Sequence, residues 1–177
     1  MLSSKVFRSG YEAVKNSEMA VRETNDCFVR ALVNAFDVSY ELAHEFTKEK
    51  LDRKKGKGTF GAREMLKNNN EITFKPEGQL NLFDEATEKK FNVEHLGDKP
   101  KVEDGKNVGG KLMNKKYKHK PVAFTVKTFM QRFKKGTFMV LVHKHALVIK
   151  DGVLIDNGNY RFEGFRRPVE TAFAISK

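Results

Sequence analysis

Thr24-Asn25-Asp26-Cys27-Phe28-Val29-Arg30-Ala31-Leu32-Val33-Asn34-Ala35-Phe36 places the only cysteine of the chain at the mouth of an almost wholly apolar segment. Phe28, Ala31, Leu32, Ala35 and Phe36 follow the i, i+3, i+4, i+7, i+8 spacing of one helical face, and Val29 and Val33 widen it. Only Arg30, Asn34 and Asp37 form a polar stripe, so the pattern predicts a helix buried in the middle of a fold. Thr24, Asn25 and Asp26 are all good N-cap residues, and Cys27 falls in the first turn whichever of them caps. The unpaired N–H groups and partial positive charge of a helix start favour a thiolate over a thiol. A packing cysteine belongs further along the apolar face, whereas Cys27 precedes the first core residue. It is therefore a candidate nucleophile, with a small buried hydrophobe as the competing reading.

The segments on either side read as helices first and sheet second. A short helix is expected over residues 10–17, and Ser39 should cap a second over 40–53, which the basic loop Lys54-Lys55-Gly56-Lys57-Gly58 ends. Thr59 is expected to cap a helix over 60–68, followed by a short strand at Ile72-Thr73-Phe74 and a short helix over 84–91. Residues 94–120, rich in Gly and Lys, read as a long mobile loop bordering a cleft. Thr125 should cap a helix over 126–134. Beyond Gly136 the apolar run 137–143, the segments 145–150 and 153–156, and a last strand over 171–175 read as sheet. This order predicts one α+β domain over residues 1–177, with a helical part (1–135) packed on a C-terminal antiparallel sheet (136–177).

Asp151-Gly152 is the strongest two-residue hairpin signal in the chain. With those residues at the turn, Lys150 pairs with Val153 and Val148 with Ile155, so Leu147 meets Asp156. Asp156 then lies diagonally across from His145, within reach of a carboxylate-to-imidazole hydrogen bond. Cys27, His145 and Asp156 thus have the makings of a nucleophile, base and orienting carboxylate. His143 shares the parity of His145 and is the competing base, and Asn157 replaces Asp156 if a bulge shifts the register by one. His44, His95 and His119 read as surface residues. Only His143 and His145 have ligand-like spacing, so neither a metal nor another cofactor is expected.

Asn25-Asp26-Cys27 opening a buried helix, with "GTFMVLVHK" leading into "HALVIKDGVLIDN", resembles the papain-like cysteine peptidases. The likeness is greatest to the bacteriocin-processing-peptidase-like branch of bacteria and tailed phages. It covers roughly residues 24–46 and 136–157. The resemblance implies a papain-like fold and a triad of Cys27, His145 and Asp156 attacking an amide, in a bacterial or phage-encoded protein. It departs at Val21, where the family usually has a glutamine that stabilises the oxyanion. The backbone N–H of Cys27 with the side chain of Asn25 is the expected substitute. The function expected is cleavage of a peptide or isopeptide bond in a protein or peptide substrate. Deamidation or acyl transfer by the same thiol is the near alternative, and an inactive nucleic-acid-binding protein on the same fold is the distant one.

Thirty-four Lys and Arg against twenty-three Asp and Glu give a net charge of +11, large for 177 residues. Residues 111–135, opening on Lys111 and closing on Lys135, carry nine positive side chains and no acidic one. That stretch is a candidate surface for an acidic partner or nucleic acid, or simply a solvated face. One cysteine excludes an intrachain disulfide and fits a reducing compartment. The absence of a long apolar run or a signal-peptide core points to a cytoplasmic protein that does not enter the membrane.

Overall fold

The computed structural model describes residues 7–75, 88–99, 101–103, 106–108, 110–112, 123–156 and 164–177. In chain order the elements are β1 (Phe7–Ser9), α1 (Glu18–Arg22), α2 (Cys27–Phe36), α3 (Tyr40–Leu51), α4 (Ala62–Asn68), β2 (Glu71–Phe74), β3 (Lys89–Asp98), β4 (Lys101–Glu103), β5 (Lys106–Val108), α5 (Val126–Arg132), β6 (Thr137–Val142), β7 (His145–Lys150), β8 (Val153–Asp156) and β9 (Val169–Ser176). Seven strands form one sheet in the order β1-β8-β7-β6-β9-β3-β2, and β4 and β5 make a separate hairpin. All neighbours in the large sheet are antiparallel except β1 and β8. The described residues are thus mixed α and β, as the pattern of helices and hairpins predicts.

The apolar residues of α2 decide the layering. Val29, Leu32 and Phe36 have no solvent exposure. They share a core with Met139, Ala146, Val148, Ile155 and Phe173 of the sheet and with Tyr40, Ala43 and Phe46 of α3. Alternate residues of the same strands, among them Phe138, Val140, Leu147, Ile149 and Leu154, enter a second core with Val126, Phe129 and Met130 of α5. The strands are apolar on both faces because helices cover both, and α2 sits in the inner layer. Thr125 caps α5 in a reciprocal capping box with Thr128, and Ser39 Oγ accepts from the Leu42 amide at 3.2 Å to start α3.

Several expectations are corrected. Residues 10–16 form turns, and the helix begins later, at Glu18 behind Ser17, whose side chain accepts from the Ala20 amide. Helix α4 begins at Ala62, with Gly61 at φ 74° in the cap position, so Thr59 does not cap it. The helix expected over 84–91 is replaced from Lys89 by the ten-residue strand β3, and its first residues lie outside the described ones. Within the expected loop 94–120, β3 continues to Asp98 and the β4–β5 hairpin follows; residues 113–120 lie outside the described ones. The division at residue 135 also gives way, since β1, β2 and β3 from the first part complete the sheet.

Candidate functional site

Helix α2 starts with Asp26 in the N-cap position, yet no side chain caps it. The Asp26 carboxylate turns inward, where Oδ2 accepts from Arg30 Nε at 2.7 Å and from the Tyr40 hydroxyl at 2.6 Å. Arg30 Nη2 in turn donates to the Ala20 carbonyl at 3.0 Å, and its guanidinium lies 4.2 Å from the Tyr11 ring centroid. Burial and the neighbouring Asp26 carboxylate hold the Tyr40 phenol far above its usual pKa, so it stays a donor. The first-turn amides of α2 therefore carry no competing side-chain acceptor.

The segment leading into Cys27 is held from a second side. Arg53, fully buried, donates to Glu23 Oε2 at 2.9 Å, and the Gly56 amide reaches the same oxygen at 3.2 Å. Burial raises the Glu23 pKa, but Arg53 and the Gly56 amide outweigh it and keep the carboxylate ionised. Asn25, at φ 55°, donates from Nδ2 to the Gly56 carbonyl at 3.1 Å. One N–H of its amide is thus held by the 53–58 loop, while Asn25 still lines the cleft beside Cys27, and the first-turn N–H groups of α2 have no side-chain cap.

The sheet delivers the other two groups. His143 and Lys144 turn the chain between β6 and β7, and His145 opens β7 opposite Val142. The β7–β8 register has Lys150 opposite Val153 and Val148 opposite Ile155, as the Asp151-Gly152 turn predicts. Asp156, at 3% exposure, places Oδ1 and Oδ2 at 2.8 and 3.0 Å from His145 Nε2. The ring is also a hydrogen-bond partner of Cys27. The Ala146 amide makes a further hydrogen bond to the sulfur.

These contacts fix the charges. Burial alone would raise the Cys27 pKa, but the hydrogen bonds from His145 and Ala146 and the imidazolium charge bring it below its usual value. Burial would lower the His145 pKa, but Asp156 first and the Cys27 sulfur second push it up to about 9. Both shifts favour a thiolate beside an imidazolium.

Cys27 and His145 open onto a cleft of about 660 Å³. One wall is residues 58–63; the other is 141–142 and 144–146 with Glu170 and Thr171. His143 is largely exposed, with Nδ1 3.6 Å from Glu170 Oε1, and is not among the groups acting on Cys27. Asn157 and His119 lie outside the described residues. His44 and His95 are half-buried rather than fully exposed. His44 lies between Glu23 and Glu45 at 3.8 and 3.9 Å, and His95 Nε2 meets Thr171 Oγ1 at 3.1 Å and Asp98 Oδ1 at 3.3 Å. Among the described residues no cluster of three or more His, Cys, Asp or Glu side chains could hold a metal ion.

Sequence reasoning missed the inward turn of Asp26, although the i, i+4 spacing to Arg30 was a signal for it. It also missed the 58–63 wall, for which no local signal exists. Of the basic stretch 111–135, Lys127, Arg132, Lys134 and Lys135 are exposed, Lys111 pairs with Glu94, and 113–122 lie outside the described residues. Among the described residues no helix is long and apolar enough to cross a membrane. No family model, curated protein or solved structure matches the chain.

Proposed function

We propose that this chain is a cysteine peptidase of papain-like architecture, cleaving a peptide or isopeptide bond through Cys27, His145 and Asp156. The observation that carries this reading is the arrangement of His145, whose ring bridges a helix-start thiol and a buried carboxylate. A nucleophile on a buried helix, with base and carboxylate on an antiparallel sheet, supports the papain-like assignment.

In the proposed reaction the Cys27 thiolate attacks the substrate carbonyl carbon, and the carbonyl π pair moves to oxygen. First-turn amides of α2 stabilise that oxyanion. As the tetrahedral adduct collapses, the C–N bond breaks and the His145 imidazolium gives its proton to the departing amine. A thioester remains. His145, now neutral, takes a proton from water as the water oxygen attacks the thioester, and the C–S bond breaks to release acid and thiolate. Asp156 orients the ring and stabilises the imidazolium throughout.

The test is the pH dependence of iodoacetamide labelling of Cys27 in the parent and in His145→Ala. The parent should label rapidly at mildly acidic pH, and the variant should need pH near the ordinary thiol range of about 8.5. Equal labelling of the two proteins, or parent labelling only in alkali, would refute the thiolate-imidazolium pair. Cleavage of a denatured-protein mixture by the parent and not by Cys27→Ala tests hydrolysis itself.

A further inference from the structure

Phe60 is 82% exposed, and it stands in the wall of the cleft onto which Cys27 opens. A large aromatic side chain left in water is costly, and at the lip of a concave site it marks a contact completed by something else. Its loop is not loosely hung. The buried Arg53–Glu23 pair, the Gly56 amide on Glu23 and the Asn25 amide on the Gly56 carbonyl bind the preceding residues to the start of α2. The segment that leads into Phe60 is thereby tied to the start of the helix that carries the thiol. Next to it, a Cβ on Gly58 would meet no atom within 4 Å, so that part of the wall is open.

The rim of the same cleft is cationic. Lys144, exposed beside His145, has no acidic partner among the described residues. Arg63 also lines the cleft, and the Asp98 carboxylate it meets at 2.9 Å is shared with Lys67 at 3.0 Å, which leaves one positive charge of that group in excess. Lys54, Lys55 and Lys57 are exposed on the loop that leads into the wall. Among the described residues, Glu170 is the one acidic side chain lining the cleft. A cleft rimmed mainly by one sign of charge concentrates ligands of the other sign.

We infer that the substrate of the proposed peptidase site is an acidic polypeptide segment, whose bulky apolar side chain covers Phe60 and whose carboxylates meet Lys144 and Arg63. This rests on the reading of Cys27 as a nucleophile. The cleft volume of about 660 Å³ suits a few residues of extended chain and lies within the usual range for ligand sites.

The experiment uses dipeptidyl vinyl sulfones pairing an apolar aromatic residue with either glutamate or lysine, and a third pairing glutamate with glycine. In each, the Cys27 thiolate adds to the β-carbon of the vinyl group, the π pair moves to the α-carbon, and the imidazolium supplies its proton. Each rate is divided by the iodoacetamide rate of the same protein, which separates recognition from thiol reactivity. In the parent, the glutamate-aromatic probe should lead the lysine-aromatic one by about tenfold at low salt, with the gap closing as salt rises. It should lead the glutamate-glycine probe by a similar factor, as expected for one apolar side chain in a pocket. Phe60→Ala should abolish the second preference and leave the first, and Lys144→Glu should reverse the first and leave the second. Rapid iodoacetamide labelling with no preference among the probes overturns this inference and leaves the peptidase reading standing. Absence of rapid labelling overturns both. An oligonucleotide that protects Cys27 better than an acidic peptide of equal charge would assign the cleft to nucleic acid and overturn the substrate class.

Discussion

The His145 proton governs how the site should respond to pH. The His145 pKa is raised to about 9, so the imidazolium stabilises the fold fully below the ordinary histidine value of about 6.5, and this contribution is lost as pH rises through 9. The Cys27 pKa is lowered, so its contribution is full above the ordinary thiol range and is lost as pH falls through the depressed value. The proposed amide cleavage needs both ions and should follow a bell whose alkaline limb lies near 9, whereas alkylation needs only the thiolate and should show no alkaline limb. Asp156→Asn removes the leading cause of the raised histidine and should move that limb to lower pH, while His143→Ala should leave it in place. Rate profiles of the three proteins decide this, and an unmoved limb in Asp156→Asn would separate the carboxylate from the titration of His145. Glu23 is a different case: its loss leaves the buried Arg53 without its partner and should cost about 3–5 kcal/mol in denaturant unfolding. The contact between Asp156 and His145 was legible in the sequence because two turn residues fix a strand register. The role of Asp26 was not, because an aspartate before a helix reads equally as a cap and as a buried partner for Arg30.

At the scale of elements, α2 was legible from its apolar spacing and α3 and α5 from Ser39 and Thr125, since those signals are local. The β7–β8 turn was legible for the same reason: Asp151 and Gly152 adopt the positive φ of 49° and 76° that such a turn demands. Strand β3 was not read as one, although Phe91 and Val93 are buried between exposed Lys90, Asn92 and Glu94. Its alternation is interrupted by the bulge between His95 and Gly97, and two lysines open it, so only pairing with β9 and β2 reveals it. The burial of α2 leads to a direct prediction. Leu32 has no exposure and is enclosed by the core it shares with the sheet and α3, so Leu32→Ala should cost about 2–5 kcal/mol, read from the shift in denaturation midpoint. A loss under about 1 kcal/mol would mean that α2 is not a central core helix.

Over the whole molecule, the chain's early residues complete the site that its late residues build. The three residues of β1 pair parallel with β8, with Phe7 opposite Leu154 and Ser9 opposite Asp156, and the Gly10 amide donates to the Asp156 carbonyl at 2.8 Å. Asn34 of α2 reaches the Gly10 carbonyl at 3.4 Å, so the same segment touches both the strand that carries Asp156 and the helix that carries Cys27. Nothing in the sequence announced this, because a three-residue parallel strand has no periodicity to read and its partner lies about 150 residues away. A chain lacking residues 1–9 would leave β8 as the sheet edge and open Asp156 to water. A solvated carboxylate screens its charge and holds its partner less firmly, so the His145 pKa should fall from about 9 toward the ordinary value of about 6.5. The Cys27 thiol should rise with it, because the imidazolium that favours the thiolate is then absent at neutral pH. NMR titration of the His145 ring in the full-length and truncated proteins measures the shift. Core packing around α2 does not include β1, so the truncated chain should keep its helical circular dichroism. A His145 titration unchanged in a folded, truncated protein would show that the carboxylate is held by β7 and β8 alone.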